Sequence, residues 1–140
     1  MKGRMIGING NIYKTFELPY SSEHVFTGID LQTDYPYWCS GPVLYLYRKS
    51  FLKQVHNPFV EGVLYEDTDF VSVHLFHAKR MTYSDVNAHN AIENSSSITH
   101  TISYKRICDY SLLGTRMILF YLALEDKEGR YADSIFEGGS

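Results

Sequence analysis

Three carboxylates stand close together near the middle of the chain, in the stretch EGVLYEDTDF that covers residues 61–70. Glu66, Asp67 and Asp69 follow a short apolar run and precede a segment with the apolar spacing of a helix. Carboxylates at a helix N-terminus are stabilised by about 0.3–1 kcal/mol each through exposed N–H groups and the macrodipole. A carboxylate at a strand-to-helix turn can also act as a general base toward an attacking hydroxyl. The spacing alone leaves both interpretations open.

The composition is that of one globular domain over residues 1–140, of which 44% are hydrophobic. The formal net charge of −3 excludes the basic stripe that a nucleic-acid-binding protein would carry. No apolar run is long enough to span a membrane and no signal peptide opens the chain, so we expect a cytoplasmic protein. Cys39 and Cys108 have no metal-ligand spacing and predict reduced, buried thiols. Residues 137–140, EGGS, resemble a linker or tag remnant.

The N-terminal half predicts a hairpin followed by short mixed elements. The dipeptide Asn9-Gly10 lies between two β-like runs, and a two-residue turn there requires positive φ at both positions. A short helical turn is expected at 28–32. The segment 43–47 predicts a strand that runs into a short helix starting near Arg48.

The C-terminal half predicts an extended piece at 57–66 and a helix with a wide apolar face at 68–79. A short strand at 80–85 and a last helix that runs up to Leu124 follow. Asp109 and Ser111 are the two candidate caps of the last helix. His74 and His77 are spaced i, i+3 without a third ligand nearby, which favours core or surface histidines over a metal site. The order lacks a regular βαβα repeat, so it predicts a mixed α/β to α+β domain with a small sheet.

Four segments, in this order and at these intervals, resemble the second half of family 2 glycosyltransferases. These are bacterial inverting enzymes of the GT-A fold that build capsular and other surface polysaccharides. The segments are LYRKSFL, FVEGVLYEDTDF, AKRMTYSD and ENSSSITH, and the resemblance covers residues 3–119. In the family, the acidic pair before the helix supplies the base that deprotonates the acceptor sugar. That role carries over to Asp67, with Glu66 as a supporting or acceptor-contacting residue and Asp69 as a plain first-turn acid.

The resemblance implies a single displacement, in which a saccharide acceptor attacks the anomeric carbon of a nucleotide-sugar donor. In the family, a divalent cation (Mg²⁺ or Mn²⁺) held by an Asp-x-Asp motif neutralises the leaving diphosphate. The chain departs from this pattern, because no Asp-x-Asp follows a hydrophobic strand and the nucleotide-binding half is absent. Its one Asp-x-Asp, Asp67-Thr68-Asp69, is the alternative metal motif, but the flanking segments favour the base position. We therefore expect an acceptor-side fragment that holds no cation itself and is inactive alone.

Four further residues are candidates for contact with substrate or metal. Trp38 and Tyr37 offer aromatic faces on which the C–H face of an acceptor sugar can lie, although packing against a strand explains them equally well. Arg48 either begins a helix or contacts sugar. His100 is similar to a late histidine that some GT-A enzymes use as an extra metal ligand. Ile92 stands near the place where related sequences have an arginine, which weakens a phosphate-binding role for this loop.

The apolar stripe of the last helix has two possible packing surfaces. The apolar stripe of this helix packs against the domain or the missing half, or it lies on a membrane surface. Glu125, Asp126 and Glu128 follow the helix and disfavour anionic lipid, so we expect at most peripheral contact with the inner face of the membrane.

The function predicted first is the acceptor-binding and catalytic-base portion of a glycosyltransferase. The alternative is a stand-alone, non-catalytic module that binds carbohydrate or protein.

Overall fold

Short strands and four α-helices make up the part of the chain that a computed structural model describes, residues 2–35, 41–94 and 103–124. A 3₁₀ turn, Pro42–Leu44, lies between the first two helices. In chain order the elements are β1 (Lys2–Ile6), β2 (Ile12–Phe16), β3 (Val25–Phe26), α1 (Gly28–Asp34), α2 (Lys49–Val55), α3 (Glu66–His77), β4 (Met81–Thr82), β5 (Asn87–Ile92) and α4 (Tyr104–Ala123). This mixture of helices and small sheets confirms the α+β class.

The predicted N-terminal hairpin is present, but its turn differs from the expected one. β1 and β2 pair antiparallel, and the loop between them covers residues 7–11. The Gly10 N–H donates to the Gly7 carbonyl at 2.8 Å, and the Gly7 N–H donates to the Asn11 carbonyl at 2.9 Å. Only Gly10 of the loop takes positive φ, at 81°. The prediction of a two-residue turn was therefore wrong. Within the longer loop, the Asn9 side chain accepts a hydrogen bond from the Asn11 N–H at 3.0 Å.

The sheets join distant parts of the chain. β5 pairs parallel to β1 and makes a three-stranded mixed sheet in the order β2–β1–β5, while β3 and β4 form an antiparallel pair. β5 was not predicted, because its sequence NAHNAI is poor in the residues that favour strands. The strand predicted at 43–47 was wrong: Pro42 has no backbone N–H to donate and begins a 3₁₀ turn instead. No strand forms over 57–66, where Gly62 takes a positive φ of 74°.

Helix α3 forms the centre of the domain, and the helix predicted at 68–79 is confirmed with a start two residues earlier. Every side chain from Asp69 to Leu75 is buried, so the helix is covered on all sides rather than on one face. The main cluster of buried residues around it comprises Leu18, Phe26, Leu31, Phe70, Val71, Leu75 and Tyr83. His74 is buried and its Nδ1 lies 2.6 Å from the Phe70 carbonyl oxygen, which confirms a core histidine.

The crossing of α1 over α3 depends on a glycine. The Gly28 N–H donates to the Ala78 carbonyl at 2.8 Å, and a Cβ on Gly28 would overlap the backbone carbonyl of Leu75. We expect Gly28→Ala to lower the free energy of unfolding by about 2 kcal/mol, because backbone must move to admit the methyl group. Gly114→Ala on α4 is the matched control, since a Cβ there meets open space and favours the helix. Urea denaturation of both variants measures the effect, and equal stability would contradict the close crossing.

Helix α4 is longer than predicted, because its cap lies earlier. The Ser103 side chain accepts a hydrogen bond from the Arg106 N–H at 3.2 Å and caps the helix, which ends at a C-cap on Leu124 as expected. The predicted caps, Asp109 and Ser111, were wrong, since both lie inside the helix. The predicted burial of Cys108 was also wrong, because this residue lies on the exposed side of α4, and Cys39 lies outside the described residues. In the described part of the chain, no helix combines the length and apolar character needed to cross a membrane.

Candidate functional site

The acidic cluster begins helix α3 at a turn with unusual backbone geometry. Glu66 and Asp67 are the first two residues of the helix, so these carboxylates do lie at a helix N-terminus, as one of the two interpretations expected. The residue before them, Tyr65, takes the left-handed conformation with φ 65° and ψ 27°. A non-glycine residue held there costs about 1–3 kcal/mol and persists only when its surroundings impose it. The contacts of this turn must therefore stabilise it.

Polar contacts from α4 hold the turn in place. The buried Asp109 carboxylate accepts the Leu64 N–H at 2.9 Å and the Lys105 ammonium at 2.6 Å. Lys105 also donates to the Gly62 carbonyl at 2.7 Å. The hydrogen bond from Lys105, followed by that from Leu64, lowers the pKa of Asp109 below its ordinary value. These hydrogen bonds join residues 62–65 to α4 and thereby fix the position of Glu66 and Asp67.

An aromatic pair covered by a guanidinium lies beside the acidic cluster. The Tyr65 and Tyr110 rings stack with centroids 4.4 Å apart, at an interplanar angle of 24°. The Arg106 guanidinium lies 5.4 Å from the Tyr65 centroid and 6.0 Å from that of Tyr110. The Tyr65 hydroxyl is buried and finds no hydrogen-bond partner among the described residues. Sequence reasoning missed this group, because no local pattern connects Tyr65 with residues of α4 more than forty positions away.

Asp69 is not the plain first-turn acid that the sequence predicted. It is only 2% exposed, and the Arg116 guanidinium of α4 contacts both its carboxylate oxygens, Nε to Oδ1 and Nη2 to Oδ2, at 3.3 Å each. The Asn57 amide donates to Oδ2 at 3.3 Å and to the Asp69 carbonyl at 3.4 Å. Asp69 thus joins α3 to α4 and to the preceding loop. Because both its oxygens are engaged, the triplet Asp67-Thr68-Asp69 does not fit a metal motif.

Asp67 has a different environment from Asp69, because it is half-buried rather than enclosed. Burial, and then the charge of Glu66, raise the pKa of Asp67 above its ordinary value, although backbone N–H groups at Thr68 and Asp67 oppose the shift. A carboxylate with a raised pKa binds a proton more tightly and is a stronger base. Two neighbouring carboxylates in unlike environments are the arrangement from which acid–base roles arise. Asp67 therefore has a half-buried setting in which a carboxylate holds a proton more tightly, whereas Asp69 has an ion pair with Arg116.

The other predicted site residues lie apart from this cluster or outside the described residues. Arg48 stands exposed at the N-cap of α2 without a side-chain capping bond, and the described residues give it no ion pair with Glu66 or Asp67. Trp38, Tyr37 and His100 lie outside the residues that the structure describes. Over the described ranges, no group of three His, Cys, Asp or Glu side chains could hold a metal ion.

Glu66 and Asp67 are both half-buried. A shallow cavity of about 440 Å³ lies elsewhere, beside the hairpin loop, where it is lined by Gly7, Ile8, Asn9, Asn11 and Glu93. Comparisons with known proteins yielded no matching family model, curated protein or solved structure. The described residues thus offer a half-buried carboxylate with a raised pKa at Asp67 and a stacked Tyr65–Tyr110 pair contacted by a guanidinium. They also offer an ion pair between the buried Asp69 and the partly exposed Arg116.

Proposed function

We propose that this chain is the acceptor-side portion of an inverting glycosyltransferase, in which Asp67 is the base that deprotonates the acceptor hydroxyl. The observation that carries this proposal is the half-buried Asp67, whose pKa is raised, at a helix start that follows the left-handed Tyr65 and a turn hydrogen-bonded to α4. The resemblance of the segments around it to family 2 glycosyltransferases supports the same role. The mixed α+β architecture is compatible with the acceptor side of a GT-A fold.

The reaction follows from the chemistry of the base. The acceptor hydroxyl gives its proton to the Asp67 carboxylate while its oxygen bonds to the anomeric carbon of the nucleotide-sugar. The bond from that carbon to the nucleoside diphosphate breaks, and the diphosphate leaves from the opposite face, so configuration inverts. Glu66 raises the proton affinity of Asp67 through its charge. In the family that these segments resemble, a divalent cation would neutralise the diphosphate. Among the described residues, no group of three His, Cys, Asp or Glu side chains could hold it.

A direct test measures nucleoside diphosphate release from a panel of nucleotide-sugars by the complete reading frame that carries this chain. Oligosaccharide acceptors are added with Mg²⁺ or Mn²⁺, and the anomeric configuration of the product is read by NMR. The proposal expects acceptor-dependent release and an inverted linkage. Retention of configuration, or no acceptor-dependent release with any donor of the panel, would contradict it.

The aromatic pair beside Asp67 is well placed to carry the acceptor sugar. We expect Tyr110→Ala to raise the KM for the acceptor about 10-fold, because a lost sugar–aromatic contact is worth about 1 kcal/mol or slightly more. The kcat and the KM for the donor should stay unchanged. Tyr110→Phe keeps the ring stacked on Tyr65 and is the control, with an expected acceptor KM close to that of the wild type. An acceptor KM unaffected by the alanine variant would exclude this platform.

The same exposed aromatic surface supports the second candidate, a non-catalytic carbohydrate-binding module. Such a module would bind saccharide without any donor half. NMR titration of the isolated chain with the oligosaccharide panel separates the two functions. Binding by an isolated chain whose complete reading frame releases no diphosphate would favour the module. Acceptor-dependent release that disappears when Asp67 is replaced would favour the enzyme.

A further inference from the structure

The loop between β1 and β2 lines the shallow cavity of about 440 Å³, together with Glu93, which follows β5. Two backbone hydrogen bonds close this loop, from the Gly7 N–H to the Asn11 carbonyl and from the Gly10 N–H to the Gly7 carbonyl. The Glu93 N–H donates to the Ile6 carbonyl at 2.7 Å and so holds Glu93 beside the loop. Gly7 is buried, and because it has no side chain, the space beside its Cα stays open to the cavity. The loop therefore leaves a recess at Gly7.

Oxygen atoms surround the recess at Gly7. The position that a Cβ would take there lies 3.1 Å from Asn9 Oδ1, 3.6 Å from Glu93 Oε2 and 3.7 Å from the Asn11 carbonyl oxygen. Apart from Gly7 and its two chain neighbours, these are the three nearest heavy atoms in the described part of the chain. The Asn9 oxygen is told apart from the amide nitrogen because it accepts the Asn11 N–H at 3.0 Å. The recess is therefore lined by hydrogen-bond acceptors.

The charge of the cavity favours a cation. Of the lining residues that the structure describes, Glu93 alone is charged. It is exposed, and over the described ranges no hydrogen bond or ion pair engages its carboxylate. Ile8, which is 72% exposed, gives the cavity an apolar wall. Acceptors with one negative charge beside an apolar side chain complement an ammonium group on a short hydrocarbon chain.

A primary ammonium fits this set of oxygens better than a metal ion. It has three N–H donors, which equals the number of oxygens at the recess. Ca²⁺ takes about six to eight oxygen ligands, and Mg²⁺ demands a near-ideal octahedron, so one carboxylate and two neutral oxygens are too few. Asn9 Oδ1 and the Asn11 carbonyl each accept one N–H already and keep a second lone pair for the ligand.

We propose that this cavity binds a small primary amine in its protonated form. The ammonium donates to the Glu93 carboxylate, to Asn9 Oδ1 and to the Asn11 carbonyl oxygen, and its alkyl chain lies against Ile8. The hydrogen bond to Glu93 is charge-assisted and gives the site its preference for a cation over a neutral alcohol. This inference does not rest on the proposed function, because none of the lining residues belongs to the turn that precedes α3.

An NMR titration of the full, isotope-labelled chain with n-butylamine at neutral pH tests the site. We expect saturable shifts of the backbone and side-chain amides of residues 7–11, with a millimolar Kd because the ligand has few atoms. n-Butanol has a hydrocarbon chain of the same length without the charge and should cause no saturable shift. Glu93→Gln should weaken the Kd for n-butylamine about 10-fold, because it removes the negative charge. Glu61→Gln removes an exposed carboxylate outside the cavity lining and is the matched control, with an unchanged Kd.

Gly7→Ala tests the recess without changing any charge. Its methyl group takes the space between the three oxygens, so the Kd for n-butylamine should weaken about 10-fold. The variant should stay folded, because Gly7 lacks the positive φ of Gly10 and the nearest contact of the methyl group is the end of the Asn9 side chain. Circular dichroism checks the fold.

Four results would overturn the proposal. If n-butylamine causes no saturable shift of the loop in the millimolar range, or if n-butanol binds equally well, the cavity does not recognise an ammonium. A Kd that is the same in Glu93→Gln as in the wild type would exclude the oxygen-lined recess as the site. Ca²⁺ that shifts the same amides and displaces n-butylamine would assign the recess to a metal ion instead.

Discussion

Under the proposed function, Asp67→Asn in the complete reading frame should reduce kcat about 1,000-fold and leave the KM for the donor unchanged, because an amide cannot accept the acceptor's proton. The loss should fall on the acceptor-dependent reaction only. Glu61→Gln is the matched control, since Glu61 is an exposed carboxylate of the same loop and should retain full activity. Steady-state nucleoside diphosphate release measures both variants. Turnover of Asp67→Asn above about a tenth of the wild type would show that Asp67 is not the base.

The pH dependence of the wild type gives a second readout of the same residue. Asp67 accepts a proton only when ionised, so kcat/KM should rise with pH through its pKa. Burial and the charge of Glu66 raise that pKa, so the acid limb should lie above the ordinary carboxyl range. An acid limb at or below the ordinary carboxyl range would contradict the environment seen for Asp67.

The same shift predicts the stability of the Asn variant. Because the pKa of Asp67 is higher in the folded chain than in the unfolded chain, the folded state binds the proton more tightly. This contribution to stability is present at low pH and is lost as pH rises from the ordinary carboxyl value through the raised one. At neutral pH the ionised Asp67 therefore opposes folding. We expect Asp67→Asn to unfold at the same or a higher temperature than the wild type, so that its lost activity cannot be ascribed to unfolding.

Arg116→Met should lower the free energy of unfolding by about 3 kcal/mol, because it leaves the buried Asp69 carboxylate without its cationic partner. The methionine keeps the apolar stem of the side chain, so the loss reports the missing charge. Arg80→Met removes an exposed guanidinium of the same type and is the control, with an expected change within about 0.5 kcal/mol. Urea denaturation measures both variants.

The double variant Asp69→Asn with Arg116→Met tests whether the stability lost in Arg116→Met comes from the unpaired charge of Asp69. The neutral amide removes the buried charge, so the double variant should be more stable than Arg116→Met alone. The Asn57 amide still has an oxygen to which it can donate. Additive losses in the double-mutant cycle, or an Arg116→Met variant as stable as the wild type, would show that the ion pair contributes nothing.

The sequence by itself determined the elements whose signals are local. The apolar period of 68–79 predicted α3, and the acids before it predicted the helix N-terminus, which lies at Glu66. The Asn9-Gly10 dipeptide predicted a hairpin, and the end of the last helix lies at Leu124 as expected. These signals operate over a few residues, because helix periodicity, capping and turn conformation depend on near neighbours along the chain.

Only the tertiary structure decided which partner each of these residues meets. The parallel pairing of β5 with β1 brings Ala91 beside Met5, which is far away in sequence, and β5 alone has weak strand propensity. Asp67 and Asp69 are the same residue type in the same helix turn. Arg116 nevertheless contacts the buried carboxylate of Asp69, whereas Asp67 is half-buried. The left-handed Tyr65 depends likewise on contacts from α4. Burial and ion pairing arise between residues far apart in sequence, so the packing of α3 against α4 sets the different chemistry of two neighbouring carboxylates.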